Sequence, residues 1–336
     1  MNTSPSHAPL QLDLAIEQWD FRQPVRLSNG VVDGSPVVVV TLRQGAHCGR
    51  GEALGVHYRG ESVDTLRAQL ETVRDEIEAG LDRDGARRLL PCGGARNALD
   101  CALWDLEAQR SGVAVATRLG LAALRARPTT VTLGVDAPET MAQQAAALSD
   151  FGLLKLKLDG SALDAARVAA VRAARADATL TVDANQGWTP DHLCALLPTL
   201  QRCAVALIEQ PLPAGRDDAL GSIRSPIPFA ADESLQGLAD LDRVAALYQA
   251  VNLKLDKTGG LSEALAIVAA ARTRGLGVMV GCMGGTSLSI APAFVLAQFC
   301  DWVDLDGPLF LRRDREPATR YAGGALVEAG GWGLAA

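Results

Sequence analysis

Only four of the 32 basic residues in this chain are lysines, and they fall in two clusters, Lys155 with Lys157 and Lys254 with Lys257. Arginine stays protonated at ordinary pH, whereas a lysine of depressed pKa can lose its proton and act as a base. A chain that uses arginine wherever a solvated cation suffices, and keeps lysine for two short apolar strands, marks those strands for chemistry. Between the clusters stand Asp183, Glu209 and Asp232, each near the end of an apolar run. Successive members of the series Asp183, Glu209, Asp232 and Lys254 lie 26, 23 and 22 residues apart. A carboxylate in a buried strand is costly unless it is paired or binds a metal, and three at one depth would repel one another without a cation. Oxygen-only ligands point to a hard ion, and three carboxylates with positions left for water and substrate fit Mg2+. The bland alternative is three salt-bridged acids supporting strand ends.

The elements that must position these residues are legible. From about Pro128, apolar strands at 130–135, 153–158, 180–185, 205–210, 228–233, 250–255, 277–282 and 302–306 alternate with alanine-rich helical stretches. Pro138 and Pro190 suit a first helical turn, Ser161 and Ser262 suit N-caps, and Gly275 suits a helix stop. Eight such units predict an α/β fold of the modified TIM-type (β/α)7β barrel kind. A doubly wound open sheet is the alternative, and no Gly-x-Gly-x-x-Gly follows a strand to support its nucleotide-binding form. The first 127 residues read as an α+β capping domain. Its strands are expected at 12–19 and 37–42, its helices at 62–81 and 95–109, and its glycine-rich turns near 28–34 and 51–60. The expected division is a cap over 1–127, a catalytic barrel over 128–311, and a segment over 312–336 that returns to the cap.

Barrel chemistry sits at the C-terminal strand ends. Lys157 and Lys254 lie four strands apart in a ring of eight, and so face each other across the mouth. A substrate carboxylate on the metal would hold its α-carbon between two amines. One removes the proton and the other returns it to the opposite face, inverting the centre through an enediolate. A lysine base needs its pKa brought down from about 10.4 towards neutrality. Lys155 and the cation push that way, and the three carboxylates oppose them. Proton transfer supplies about 10²–10⁴-fold, so most of the acceleration must come from the metal stabilising the enediolate oxygens. Cys282 and Met283 are expected to line the pocket. The loop Gly284–Ser287 would bring backbone amides near the substrate or cradle a phosphate. Arg26 and Arg59 would either meet a substrate side-chain carboxylate or stay solvated.

The Lys-x-Lys strand, the Asp183/Glu209/Asp232 set and the Lys254 strand together resemble the enolase superfamily, in its muconate lactonizing enzyme subgroup. The likeness runs through PCGGARNALDCALWDLEA, TVDANQGW, IEQPLP, ADES, NLKLDKTGGL and DLDGP. Asp304-x-Asp306 resembles the motif by which dipeptide epimerases hold the substrate's α-ammonium group. GVHYRGES and RNALDCALWDLEA look most like L-Ala-D/L-Glu epimerases, which implies Mg2+-dependent action on murein-derived dipeptides. The resemblance makes Lys157 and Lys254 the two bases and lets Lys155 assist at the enolate. Geometry agrees: strand eight lies opposite strand four, and a dipeptide spans about 7 Å, enough to reach from the metal to the aspartates. An epimerase of another dipeptide class, an N-acylamino acid racemase, o-succinylbenzoate synthase and muconate cycloisomerase are the rival enzymes. The last three need no acidic pair for a free amine. A non-catalytic barrel is the rival of another class.

Composition narrows the setting. Hydrophobic residues make 48%, charged residues 21% and aromatics 4%, and the net charge is −7, a globular composition without the basic stripe of a nucleic-acid binder. Seven cysteines without a Cys-x-x-Cys pair read as buried thiols in a reducing compartment. His7, His47, His57 and His192 are too scattered for a multi-histidine metal site. Gly275–Cys300 is 26 residues without a charge, but its glycines and Pro292 divide it into strand, loop and helix rather than a membrane span. The N-terminus lacks the pattern of a signal peptide. The expectation is a cytoplasmic enzyme of a small-molecule dipeptide, with no nucleic-acid or membrane partner and with a homo-oligomer left open.

Overall fold

The computed structural model describes residues 9–27 and 30–335. The leader reading of residues 1–8 and the turn residues Ser28 and Asn29 lie outside them. The chain opens with an antiparallel sheet of β1 (Gln11–Leu27), β2 (Gly30–Gln44) and β3 (His47–Ala53) in that order. β3 escapes the sequence reading because HCGRGEA lacks the branched and aromatic residues that mark strands. Its glycines serve packing instead. A Cβ on Gly49 or Gly51 would lie 2.3 or 2.1 Å from the carbonyl oxygens of Ala102 and Ala98 on the helix above. The expected helix over 62–81 is two helices, α1 (Val63–Thr72) and α2 (Arg74–Glu78), divided at Val73, whose backbone leaves the helical region. They are followed by α3 (Arg83–Leu89), the long α4 (Gly94–Ser111) and α5 (Val115–Arg118).

After the short β4 (Arg127–Pro128) comes the parallel sheet. Its strands are β5 (Val131–Leu133), β6 (Leu153–Lys157), β7 (Thr179–Asp183), β8 (Val205–Glu209), β9 (Phe229–Ala231), β10 (Ala250–Lys254), β11 (Gly277–Gly281) and β12 (Trp302–Asp304). They are hydrogen-bonded in chain order. All eight coincide with expected strands. At the seam the Thr130 N–H donates to Val303 O at 2.9 Å, and the Leu305 N–H donates to the Thr129 hydroxyl at 2.9 Å. Side chains thus help to close the ring where a regular ladder would otherwise run.

The crossovers carry α6 (Pro138–Ala147), α7 (Asp164–Ala174), α8 (Pro190–Arg202), α9 (Leu241–Leu247), α10 (Leu255–Thr258), α11 (Leu261–Thr273) and α12 (Ser287–Ala297), and α13 (Gly307–Phe310) follows β12. Between β8 and β9 there is no full helix, only a 3-10 turn at Asp218–Ser222. Pro138 and Pro190 do open their helices, and Gly275 takes a positive φ of 72° just past α11. Ser161 and Ser262 do not cap. α7 starts three residues after Ser161. Ser262 lies inside α11, where its N–H and hydroxyl both donate to the buried Asp100 carboxylate, at 3.0 and 2.5 Å. The cap therefore supplies the acid that satisfies this helix start. The uncharged stretch 275–300 is β11 followed by α12, buried at every position but Ser289, and no helix among the described residues is long and apolar enough to cross a membrane.

Strand alternation sets the site. On β6 and β10, Leu154, Leu156, Val251 and Leu253 point outward into the main core, so Lys155, Lys157, Asn252 and Lys254 point into the barrel. The floor below them is apolar, with Leu207, Ala230, Ala250 and Met279 packed against Trp302. Beyond α13 a hairpin of β13 (Thr319–Ala322) and β14 (Ala325–Ala329) pairs with β4. Trp332 then donates to Arg50 O on β3 at 3.0 Å. The contact of β3 with α4 yields a stability prediction. Gly51→Ala drives a methyl into backbone that no rotamer change can move aside, and should cost about 1–3 kcal/mol. Gly152→Ala, where no atom stands within 4 Å, should change stability by no more than about 0.5 kcal/mol. Urea midpoints of the two variants measure the difference.

Candidate active site

All four lysines converge on the barrel centre. Lys155 is 2% exposed, and its ammonium meets Glu209 Oε2 at 2.7 Å, Asp304 Oδ2 at 2.8 Å and Asp183 Oδ2 at 3.1 Å. Lys157 donates to Asp183 Oδ2 at 2.5 Å and to Asn185 Oδ1 at 3.0 Å. Lys254 donates to Asp232 Oδ2 at 2.7 Å. Lys257, given no role from sequence, is fully buried and donates to Asp232 Oδ1 at 2.5 Å and to Asn252 O at 3.0 Å. The composition signal applied to it as much as to the others.

The strand register explains the convergence. Lys157 pairs with Asp183, and Asp183 with Glu209, in one row across β6, β7 and β8, while Asp232 lies just past the end of β9. One oxygen from each of Asp183, Glu209 and Asp232 lies within 4.8 Å of the others. The strand ends are strained around them, with positive φ at Asn185 (42°), Gln186 (70°) and Gln210 (33°), a cost that clusters at functional sites. The strain has visible uses. Asn185 turns its own N–H onto Asp183 Oδ1 at 2.8 Å, and Gln210 Oε1 accepts the N–H groups of Asp232 and Ser234 at 2.9 and 3.0 Å. Asn185 also reaches Glu233 Oε1 at 3.3 Å. None of these linking residues was singled out from sequence, because their partners lie on other strands.

The electrostatics test whether a cation fits. Six buried carboxyls, of Asp183, Glu209, Asp232, Glu233, Asp304 and Asp306, face four ammoniums, a formal shortfall of two positive charges and so the charge of one divalent ion. The excess shows in the titration of the acids. Burial and the adjacent Asp183 push Glu209 up to about 8, burial and Asp232 push Glu233 up to about 7, and burial and Asp304 push Asp306 up to about 6. Burial would raise Asp183 as well, but Lys157 and Lys155 hold it at about 2. Burial alone would also depress Lys155 and Lys254. Asp304, Glu209 and Asp183 around the first, and Asp232 beside the second, instead hold both well above the ordinary lysine range. In the contest foreseen from sequence, the carboxylates prevail. Three crowded hard oxygens fit a divalent cation by number and charge.

The other expected residues are less central. Asp304 is engaged by Lys155 and by the Thr130 hydroxyl. Asp306 Oδ2 accepts the Thr132 N–H at 2.8 Å, and its Oδ1 faces Cys282 Sγ at 4.0 Å. Cys282 and Met283 are half-buried, and burial with Asp306 nearby pushes the Cys282 thiol up to about 12. Three of the four amides of the 284–287 loop are engaged within the protein rather than open to a substrate as expected. Those of Gly285, Thr286 and Ser287 donate to Ser35, Glu52 and Asp314, which tie the loop to cap and tail. Arg26 is exposed on β1, where its carbonyl accepts the Val135 N–H at 2.8 Å beyond β5. Arg59 is exposed too, 3.3 Å from Gln236 Oε1. Neither guanidinium joins the central cluster: the Arg26 backbone lies beside the segment past β5, and Arg59 lies beside the segment past β9. The same cap turn brings His57 and Tyr58 near Lys254 and Asp232: burial and then Lys254 lower the imidazole pKa, and burial and then Asp232 raise the phenol. An open groove of about 830 Å3 beside Arg83 and Trp104 contains none of the central charges.

A pH dependence follows. Glu209, Glu233 and Asp306 titrate higher in the folded chain than unfolded, so between about pH 5 and 8 the native state binds more protons and stability falls as pH rises. The stabilisation from Asp183 is complete above its unfolded pKa and is lost only as pH falls towards 2, outside that window. The urea midpoint in EDTA should therefore drop from pH 5 to pH 8. Millimolar Mg2+ should remove most of the drop, and Glu209→Gln should flatten it. A midpoint that rises over this range contradicts the assignment.

Two family models match the chain: "Mandelate racemase / muconate lactonizing enzyme, N-terminal domain" over residues 11–120 and "Enolase C-terminal domain-like" over residues 139–334. An L-Ala-D/L-Glu epimerase of Escherichia coli K12 is 41% identical over 92% of this chain and 97% of its own length. An N-acetyl-D-glutamate racemase of a Pseudoalteromonas species is 38% identical over 86% and 92%. An Agrobacterium tumefaciens enolase family member with homology to dipeptide epimerases, solved with sodium and L-Ala-L-Glu, superposes with a TM-score of 0.92 at 42% identity, covering 95% of this chain and 98% of that one. A Methylococcus capsulatus dipeptide epimerase, solved with Mg and L-Arg-D-Lys, gives a TM-score of 0.89 at 33% identity over 98% and 99%. By both halves of its sequence and by its fold, the chain belongs to the mandelate racemase / muconate lactonizing enzyme family of the enolase superfamily.

Proposed function

We propose that this protein is a Mg2+-dependent dipeptide epimerase that inverts the α-carbon of the C-terminal residue, with L-Ala-D/L-Glu as substrate and murein peptides as its source. The observation that carries the reading is the placement of Lys157 and Lys254 on β6 and β10, on opposite sides of the ring, with Asp183, Glu209 and Asp232 in the arc between them. Asp183, Glu209 and Asp232 would hold the Mg2+. When bound, the ion supplies a Lewis acid that stabilises negative charge on the substrate's carboxylate.

The chain's own groups do the rest. Lys157 and Lys254 address the two faces of the α-carbon, one taking its proton as a neutral amine and the other returning a proton as an ammonium. Both are held by carboxylates of the proposed metal set, Lys157 by Asp183 and Lys254 by Asp232, so the oxygens that would serve the ion are the same ones that hold the two bases in place. Lys155, clamped by three carboxylates, stays an ammonium and donates to the substrate carboxylate as charge develops there. Asp306, whose Oδ1 has no closer partner than Cys282, receives the α-ammonium, with Asp304 beside it; Cys282 and Met283 flank that end. Arg26 and Arg59 of the cap meet the glutamate side chain.

The functional division follows as cap over 1–127, barrel over 128–311 and tail over 312–336, supported by the Arg315 guanidinium bridging Glu52 and Glu17 of the cap at 2.7 Å each. All seven cysteines are free thiols, which supports a cytoplasmic setting. One observation favours a second reading, an N-acylamino acid racemase: Asp304 is already matched by Lys155 and Thr130, leaving Asp306 alone to recognise an amine.

Incubation with L-Ala-L-Glu in D2O and Mg2+ tests the proposal: the glutamate centre should epimerise and gain one deuteron. Lys157→Ala and Lys254→Ala should each abolish inversion, while either variant retains α-proton exchange on one stereoisomer only. Full epimerase activity in either variant refutes the two-base assignment. N-acetylation of the substrate removes the charge opposite Asp306. Leaving a buried charge uncompensated costs about 3–5 kcal/mol, so kcat/KM should fall roughly 10²–10³-fold or more. Asp304→Asn with Asp306→Asn should narrow that gap. Equal turnover of N-acetyl-L-glutamate and the free dipeptide by the unaltered enzyme decides for the racemase.

A further inference from the structure

Each of the three carboxylates assigned to the metal has one oxygen already taken by a dedicated donor on its outer side. The Asn185 N–H holds Asp183 Oδ1 at 2.8 Å, Asn252 Nδ2 holds Glu209 Oε1 at 2.9 Å, and Lys257 Nζ holds Asp232 Oδ1 at 2.5 Å. The opposite oxygens, Asp183 Oδ2, Glu209 Oε2 and Asp232 Oδ2, are the ones turned to Lys155, Lys157 and Lys254. The pattern is the same on three strands with three chemically different donors. Two of those donors are wholly buried side chains: Asn252 is 0% exposed with an unpartnered Oδ1, and Lys257 is a 0% exposed ammonium whose remaining bonds go to the backbone carbonyls of Asp232 and Asn252. Gly281 leaves the space Asn252 occupies, since a Cβ there would stand 2.8 Å from Asn252 Oδ1.

We infer that Asn252, Lys257 and the Asn185 N–H are ion-selecting locks that limit each carboxylate to a single free oxygen, so that the site suits a small octahedral cation and rejects Ca2+. The inference rests on the reading of Asp183, Glu209 and Asp232 as the Mg2+ ligands. Ca2+ takes six to eight oxygens and reaches that number by binding carboxylates through both oxygens, whereas Mg2+ takes six in strict geometry and keeps waters among them. With one oxygen per carboxylate turned inward, the protein offers three single-oxygen ligands, which suits six-coordinate Mg2+ completed by water and substrate and denies Ca2+ the two-oxygen carboxylate binding that favours its larger shell. The locks also orient the ligands, as outer partners do at metal sites. Lys257 and Asn252 are positioning residues, because they act through Asp232 and Glu209 and touch neither substrate nor ion.

Calorimetric titration of the EDTA-stripped full chain with Mg2+ and, separately, Ca2+ tests this. Lys257→Met and Asn252→Leu each free one carboxylate oxygen with little change of volume. Both ions carry the same charge, so the loss of the Lys257 charge cancels in the ratio of affinities and the ratio reads ligand number. Each variant should shift the Mg2+/Ca2+ affinity ratio towards Ca2+ by about tenfold or more, within the range that outer partners command. Equal changes for both ions mean a merely structural role and overturn the inference. If Lys257→Met does not fold, Asn252→Leu, on a different ligand, decides alone. Failure of the unaltered chain to bind either ion overturns the metal reading itself, and is distinguishable from tight Mg2+ binding with an unmoved ratio.

Discussion

The buried charge of the barrel centre is the constraint on which the rest of the structure depends. Ten ionisable groups stand in one small volume, and none of them is tolerable there alone. On β6 and β10 leucines and valines therefore face outward and charges inward, and the apolar floor of Leu207, Ala230, Ala250, Met279 and Trp302 seals the centre from below. This balance also explains the choice of lysine over arginine. One compact ammonium with three donors can serve three carboxylates on three strands, as Lys155 does, where a planar guanidinium favours one carboxylate held by two bonds. A group that must lose its proton has the same requirement, so all four lysines of the chain are here and the surface is left to arginine.

The cap is coupled to this centre at the turn that follows Lys254. Asp256, immediately after β10, accepts the N–H groups of Leu54 and Gly55 at 2.9 and 2.8 Å. Arg96 on α4 donates to Thr258 O at 2.7 Å, and Trp104 donates to Ser262 Oγ at 3.0 Å. The RNALDCALWDLEA segment is thus a docking helix: its polar residues grip the α10–α11 turn while its small residues let β3 approach. On the other side, Glu52 is fully shielded and is held by Thr286 and by Arg315. The strand carrying Lys254 and the loop after β11 consequently share fixed contacts with the cap.

Most of the barrel was legible because its signals are local. Six of the eight strands end at or next to a charged residue, β11 in the uncharged stretch being an exception, and alternation with helix-length segments leaves few other architectures. The Asp183, Glu209 and Asp232 constellation was legible because three acids in buried strands demand a reason. What was not legible depends on contacts distant in sequence. β3 reads as a glycine-rich loop until α4 is laid on it. Ser262 reads as a cap until Asp100 arrives from the other domain. The amides after Gly284 read as free until Glu52 and Asp314 occupy them. Lys257 is a different failure. Its composition signal is present, but it stands outside the strand that carries Lys254, and only the fold puts its ammonium against Asp232.

The distribution of rigidity bears on how such a site meets different substrates. The groups around the reacting carbon are carried on strand ends and held by bonds of 2.5–3.1 Å. Arg26 and Arg59 are carried on a hairpin and a 3-10 turn of the cap and stay exposed. On the proposed reading every dipeptide presents the same α-carbon and carboxylate to the centre, and the side chain of its C-terminal residue is what differs. Proton transfer needs positions fixed to a fraction of an ångström, whereas recognition of a side chain tolerates adjustment. On that reading a substitution at Arg26 or Arg59 redistributes affinity among substrates and leaves the proton-transfer geometry intact. A substitution among the central charges changes the balance that every substrate meets.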